Sequence, residues 1–159
     1  MSTLYAALKT LHILSIIVWV GGMAFAHFFL RPALAELEAP ARVVLMRDVL
    51  GRFFTNVLSM IVVALVSGIA MMAIFFSQAA QSGAEAKMPL GWTVMAALGL
   101  LMMAIFGHVR FVLFKRLHQA VLENKWSAGG AALASIRSWV RINLAIGILV
   151  VVAAASSGV

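Results

Sequence analysis

The chain has 159 residues, of which 64% are hydrophobic and only 11% charged, and its mean hydropathy is +1.08. A soluble domain of this size cannot hide so much apolar surface, so the composition excludes that class and predicts a membrane protein. The net charge of +7 then reflects membrane topology, and we expect no nucleic-acid partner. The chain has no cysteine, which excludes disulfides, thiolate metal sites and iron–sulfur clusters.

Four uncharged, mostly apolar stretches are each long enough, or nearly so, to cross a bilayer core of about 30 Å as a helix. The predicted spans are about Leu4–Leu30, a second span that ends near Phe76, Leu90–Val109 and Ala131–Ala155. The sequence thus predicts an all-α integral membrane four-helix bundle that forms a single four-span domain over residues 1–159. The first stretch is too long, and lacks the cleavage site, for a cleavable signal peptide.

The segments between the spans also have distinct patterns. Residues 33–50 are amphipathic and predict a short helix between spans one and two, which starts at Pro40 and runs on through Arg52 into span two. Residues 77–89 are small and polar and predict an exposed loop, and residues 124–130 predict a turn. The third helix is expected to continue past the membrane through His118.

The distribution of Lys and Arg predicts the orientation. Ten of the twelve basic residues lie in or beside the first and third loops: Arg31, Arg42, Arg47, Arg52, Arg110, Lys115, Arg116, Lys125, Arg137 and Arg141. By the positive-inside rule these loops are cytoplasmic and both termini are outside. The prediction is a multi-pass protein of a bacterial inner membrane, with the lipid bilayer as its environment.

This orientation gives a depth to each histidine. His27 lies four residues before Arg31 and His108 two before Arg110, so both belong to the cytoplasmic ends of their spans. His12 lies 19 residues before Arg31, about 28 Å along a helix, which places it near the outer face.

At 100° per residue, three helical faces combine polar or small residues and are predicted to point inward. They are His12, Trp19, Met23 and His27 on span one; Asn56, Met60, Val63 and Ser67 on span two; and Leu90, Ala97, Leu101, Ala104 and His108 on span three.

One hypothesis is a b-type haem. His27 and His108 share a depth on different helices, with Arg31 and Arg110 just beyond them as possible partners of the haem propionates. The alternative is that both are interfacial histidines that hydrogen-bond to headgroups or to neighbouring helices.

A second hypothesis is copper. His12 shares the outer layer with Met71, Met72 and Met95, and an imidazole with thioethers suits Cu(I). The alternatives are that His12 is a haem ligand or a hydrogen-bonded core histidine, and that the methionines are packing material. His118, beyond the membrane, is expected to be solvated. The sequence lacks the catalytic motifs of soluble enzymes. Activity as a membrane oxidoreductase stays open.

The segment LKTLHILSIIVWVGGMAFAHFFLRPAL (8–34) resembles the first helix of the CopD-type copper-resistance membrane domain, which has a His, a Trp seven residues later and then small residues, here His12, Trp19 and Gly21-Gly22. Together with Lys9 it also resembles the HemJ-type protoporphyrinogen oxidases. In that family a third helix opens with Gly-Trp and closes with a His and a basic run, and the fourth opens with a basic residue and an Asn. The matching positions here are Gly91-Trp92, His108, Lys115-Arg116, Arg141 and Asn143.

The resemblance implies a four-helix membrane protein with b-haem, in a superfamily that also holds proteins linked to copper uptake. It implies His12 and His108 as the functional histidines. The chain departs from the HemJ pattern at Thr93-Val94-Met95, where that family has a Lys, and this argues against protoporphyrinogen oxidation.

Three functions follow. The first is a redox protein that carries electrons through b-haem, with quinone or a periplasmic redox protein as partner and His108 plus His27 or His12 as axial ligands. The second is copper binding or import, with a periplasmic copper protein as partner. The third is a cofactor-free partner subunit. A homo-oligomer is compatible with each.

Overall fold

The computed structural model describes residues 3–83 and 87–156. Four of its helices are long and apolar enough to cross a membrane: α1 (Thr3–Ala33), α2 (Ala39–Ser82), α3 (Leu90–Leu122) and α4 (Trp126–Ser156). The predicted all-α, four-span membrane architecture is thereby confirmed. We call the end of the bundle that contains Thr3, Gly83 and Ser156 the terminal end, and the opposite end, which contains Arg31 and Lys125, the basic end.

Helix α2 is longer than the sequence suggested. As predicted, the amphipathic helix runs on into span two, and the two form one continuous helix of 44 residues, with Pro40 in its first turn, where its missing N–H costs nothing. The loop predicted at residues 77–89 is wrong over its first part, because the helix persists to Ser82. It ends at Gly83, whose φ of 68° is the left-handed conformation that favours glycine. Residues 84–86 of the predicted loop lie outside the described residues.

The turn predicted at residues 124–130 is also shorter than expected. Helix α3 ends at Leu122 and α4 already begins at Trp126. Two glycines at positions 129 and 130 suggested a turn, but they are helical. Gly129 is buried against Val43 of α2, and a Cβ there would lie only 2.7 Å from a Val43 methyl group. Close packing between α2 and α4 therefore explains this glycine.

The helices pack as two main pairs, α1 along α2 and α3 along α4, and α4 also contacts α1 and α2. Aromatic rings join the pairs at the centre of the core. Trp19 and Phe54 both meet Phe106 edge-on, with ring centroids 6.1 and 5.9 Å apart, and Phe54 also meets Phe114 at 5.4 Å. Such edge-to-face contacts hold the rings in fixed orientations.

The inward face predicted for span one is confirmed over most of its length, since Trp19 and Met23 are buried and His12 is half-buried. The face predicted for span two is only partly right. Ser67 is buried, but Asn56 is exposed and donates its amide N–H to the Arg52 carbonyl at 3.1 Å. An exposed Asn can satisfy its own helix in this way, so its polarity did not mark the interior.

The face predicted for span three is wrong. All five of its residues are exposed, and within the predicted span the buried residues of α3 are Met102, Ile105, Phe106 and Val109. The prediction assumed that small residues of α3 mark its contact face. At this interface the small residue is Gly147 of α4, where a Cβ would lie 2.9 Å from Val20 and 3.2 Å from Met102. The large side chains of α1 and α3 occupy the space that this glycine leaves.

Two turns of π-helix interrupt the spans near the basic end, at Ala26–Leu30 in α1 and Val109–Leu113 in α3. His27 lies in the first, and His108 immediately precedes the second. A π-helical turn contains more residues than an α-helical one, so angles counted at 100° per residue fail across it. No pattern in the sequence indicates either turn.

The packed core does not extend to the terminal end. Its last buried residues on the four helices are Ser15, Ser67, Met102 and Gly147. Beyond these positions, towards the terminal end, every described side chain is half-buried or exposed. His12, one turn beyond Ser15, therefore lies at the boundary between the close-packed core and a loosely packed end.

Candidate functional site

His12 is the histidine that the fold holds most firmly. Its Nδ1 lies 3.0 Å from the Ala64 carbonyl oxygen and 3.1 Å from the Ser67 hydroxyl oxygen, both on α2. The ring lies against Gly68, where a Cβ would be 3.4 Å from its Cε1 atom. Helix α2 thus supplies a polar anchor and a space for the imidazole within two turns.

These contacts determine which ring nitrogen carries the proton. A carbonyl oxygen can only accept, so Nδ1 must be the N–H that donates to Ala64. The Ser67 hydroxyl donates to the Val63 carbonyl at 2.6 Å, which leaves its lone pairs to accept from His12 as well. The neutral imidazole consequently keeps a lone pair on Nε2, and the described residues give Nε2 no hydrogen-bond partner. A histidine anchored through one nitrogen by a carbonyl is the usual arrangement of a metal ligand.

The methionines of the copper hypothesis lie, like His12, towards the terminal end of the bundle. Met71, Met72 and Met95 are all half-buried and lie in the loosely packed terminal part. Met71 follows Ser67 by four residues, so it shares the Ser67 face of α2 one turn nearer the terminal end. Helices α2 and α3 meet here through Phe75 and Trp92, whose ring centroids are 5.2 Å apart.

The structure does not join His27 and His108 on an inward face. His108 is exposed, and its ring packs against Trp139 of α4 at 5.3 Å. His27 is half-buried and its ring contacts Phe28 edge-on at 4.8 Å. Helix α1 packs mainly on α2 and α3 mainly on α4, so the two histidines belong to different pairs.

The two predicted arginines have separate surroundings. The Arg110 guanidinium lies over the rings of Phe111 and Phe114, 5.8 and 5.4 Å from their centroids, which is a cation–π arrangement. Arg31 follows the π-helical turn of α1 and is half-buried. These positions do not define a haem pocket. The haem, its redox role and a quinone partner stay predictions without support from this geometry.

Asn143 and Trp19 lie in the core, 3% and 2% exposed. Asn143 donates its amide N–H to the sulfur of Met23 at 3.8 Å, and its Oδ1 has no partner among the described residues. Sequence analysis placed Met23 on the inward face but did not select it as a ligand. It also missed the anchors of His12 at Ala64 and Gly68, because nothing in a sequence pairs an apolar residue with a histidine 52 positions away.

Acidic and imidazole ligands do not cluster anywhere in the described part of the chain. Residues 3–83 and 87–156 contain no group of three or more His, Asp or Glu side chains that could hold a metal ion. A metal site among these residues would therefore use at most two such side chains and would need thioether, amide or aromatic groups to complete it. Soft thioether ligands favour Cu(I) over hard cations such as Ca²⁺ and Mg²⁺.

Comparison with known proteins agrees with the resemblance of the first helix to the CopD-type domain. The family model of copper resistance protein D matches residues 47–157, well over half of the chain and from α2 to the end of α4. No curated protein and no solved structure matches the chain. The matched segment excludes α1, so it is independent of the residues His12 and Trp19 that carried the resemblance. With four helices long and apolar enough to span a bilayer, the chain is a multi-pass membrane protein that belongs to the copper resistance protein D family.

Proposed function

We propose that this protein binds Cu(I) at His12 and passes it into the membrane bundle as part of copper import. The observation that carries the proposal is the hydrogen bonding of His12. Ala64 and Ser67 hold Nδ1 and leave the lone pair of Nε2 available for a metal ion.

The ligand chemistry supports Cu(I) as the substrate. All five acidic residues of the chain, Glu36, Glu38, Asp48, Glu85 and Glu123, lie outside the apolar stretches, so Ca²⁺ and Mg²⁺ would find no carboxylate there. Soft thioethers are available instead, from Met71, Met72 and Met95 at the terminal end. An imidazole with one or two thioethers is a suitable ligand set for Cu(I).

The position of His12 supports entry from the terminal end. The side chains between His12 and that end are half-buried or exposed, whereas the buried core begins one turn to its other side, at Ser15. The bias of Lys and Arg supports a bacterial inner membrane with the terminal end outside, where a periplasmic copper protein could deliver the ion. We propose that the ion then moves towards the basic end.

Replacement of His12 tests the proposal. We expect purified His12→Ala and His12→Gln protein to lose the tightest Cu(I) equivalent in competition with a chromogenic Cu(I) chelator. The glutamine amide can still donate to Ala64, so His12→Gln should keep its unfolding temperature while it loses the ligand nitrogen. His118→Ala, at the basic end, is the matched control and should bind as the wild type does.

The outcome that contradicts the proposal is equally specific. If His12→Gln binds Cu(I) as tightly as the wild type, His12 is a hydrogen-bonded core residue and not a ligand.

A further inference from the structure

A buried polar atom without a partner lies at the middle of the core. Asn143 is 3% exposed, and the described residues provide no donor for its Oδ1. A buried, unsatisfied polar group costs about 1–3 kcal/mol of stability. An asparagine in this position therefore calls for a role that a leucine could not fill.

The side chains around Asn143 line a small cavity in the core. Trp19, Met23, Phe106 and Asn143 line a cavity of about 10 Å³. This volume is at the lower limit for one water-sized particle, so the site could hold a water molecule or a bare ion but no larger ligand. Its one soft ligand is the Met23 sulfur, which the Asn143 amide approaches to 3.8 Å.

This site lies in line with His12. Met23 follows His12 by 11 residues, which is close to three complete turns, so both side chains share one face of α1. The two positions are about 16 Å apart along the helix axis. Trp19 lies between them on the same face, 2% exposed and packed edge-on against Phe106.

We propose that the Met23 sulfur, the Asn143 side-chain oxygen and the indole of Trp19 form a second Cu(I) position, inward of His12 along α1. The inference rests on the proposed copper function and extends it to a path with two successive Cu(I)-binding sites. The thioether is the one strong ligand, the amide oxygen is a weak one, and an indole face attracts a cation. A weak second site suits passage, because an ion in transit has to leave each site as well as enter it.

The His12→Ala variant isolates the second site for a direct test. We expect X-ray absorption spectra of this variant, loaded with one equivalent of Cu(I), to show a sulfur neighbour of the metal. That signal should be absent after the further change Met23→Leu, which removes the sulfur at nearly constant volume. It should persist after Met71→Leu, the matched control, because Met71 lies on α2 one turn beyond Ser67, towards the terminal end and outside the second site.

Three results would overturn the second site while leaving the function at His12 intact. They are the absence of any bound Cu(I) in His12→Ala, survival of the sulfur signal in His12→Ala with Met23→Leu, and its loss with Met71→Leu. In the first case the cavity is not a Cu(I) site. Failure of the wild-type protein to bind Cu(I) at all would instead overturn the proposed function.

Discussion

Replacement of Gly68 by leucine is expected to remove Cu(I) binding at His12 although the histidine itself is retained. The imidazole lies against this glycine, and a Cβ at position 68 would be 3.4 Å from Cε1 and 3.6 Å from Nδ1 of the ring. A methyl group can be accommodated there, but a leucine side chain requires the volume that the ring occupies. The displaced imidazole would lose its hydrogen bonds to Ala64 and Ser67.

Loss of the groups that orient a metal-bound histidine typically costs about 10–100-fold in metal affinity. We therefore expect Gly68→Leu to weaken Cu(I) binding at least that much in chelator competition, and Gly68→Ala to change it little. Gly99→Leu is a suitable control, because a Cβ at Gly99 meets nothing within 4 Å. Unchanged Cu(I) affinity in a folded Gly68→Leu protein would show that the α2 anchor does not orient a ligand.

Replacement of Asn143 by leucine is expected to stabilise the protein and impair copper passage. Leucine has a similar size and removes the unsatisfied oxygen, so the free energy of unfolding should rise by up to about 1–3 kcal/mol. The same change removes an oxygen from the second Cu(I) position and narrows the cavity beside Met23. We expect the Cu(I) flux through the protein to fall about tenfold or more. A loss of roughly 1.4 kcal/mol of binding free energy at a site that limits passage corresponds to a tenfold effect.

Two measurements check this pair of effects: the unfolding temperature in detergent, and Cu(I) flux into vesicles that contain the variant. Ser135→Ala is a matched control on the same helix, since Ser135 is exposed and hydrogen-bonds only within α4. A variant that is more stable than the wild type and passes copper equally well would assign Asn143 no role in passage.

The spans and the inward face of α1 could be predicted from the sequence because both depend on local patterns. Gaps between charges show where lipid-facing helices lie, and the spacing of His12, Trp19 and Met23 follows the helical period. Neither prediction required knowledge of the partner helices.

The inward face of α3 could not be predicted in the same way. In a bilayer, exposed and buried residues are both apolar, so hydrophobicity does not separate the lipid-facing side from the core. Small residues were used as the substitute signal. The space between α3 and α4 is provided by Gly147 of α4 and not by a small residue of α3. Which of the two helices contributes the small residue depends on how the helices pair, and the sequence of one helix does not show this.

Only part of the candidate site could be predicted from the sequence, because the rest depends on contacts between helices. His12 was identified from its type and depth, but its anchors lie on α2 and include a backbone carbonyl, which has no sequence signature. The link between Met23 and Asn143 joins residues 120 positions apart. The predicted pairing of His27 with His108 gained no support because equal depth does not imply a shared face. In addition, His27 lies in one π-helical turn and His108 immediately precedes the other.

Copper flux through the protein tests the central claim most directly. Wild-type protein in lipid vesicles, with Cu(I) supplied outside under reducing conditions and a fluorescent Cu(I) indicator inside, is expected to admit copper far faster than protein-free vesicles. Vesicles with His12→Gln should resemble protein-free ones, and vesicles with His118→Ala should resemble the wild type. If folded wild-type protein admits copper no faster than protein-free vesicles, the account of this bundle as a path for Cu(I) is contradicted.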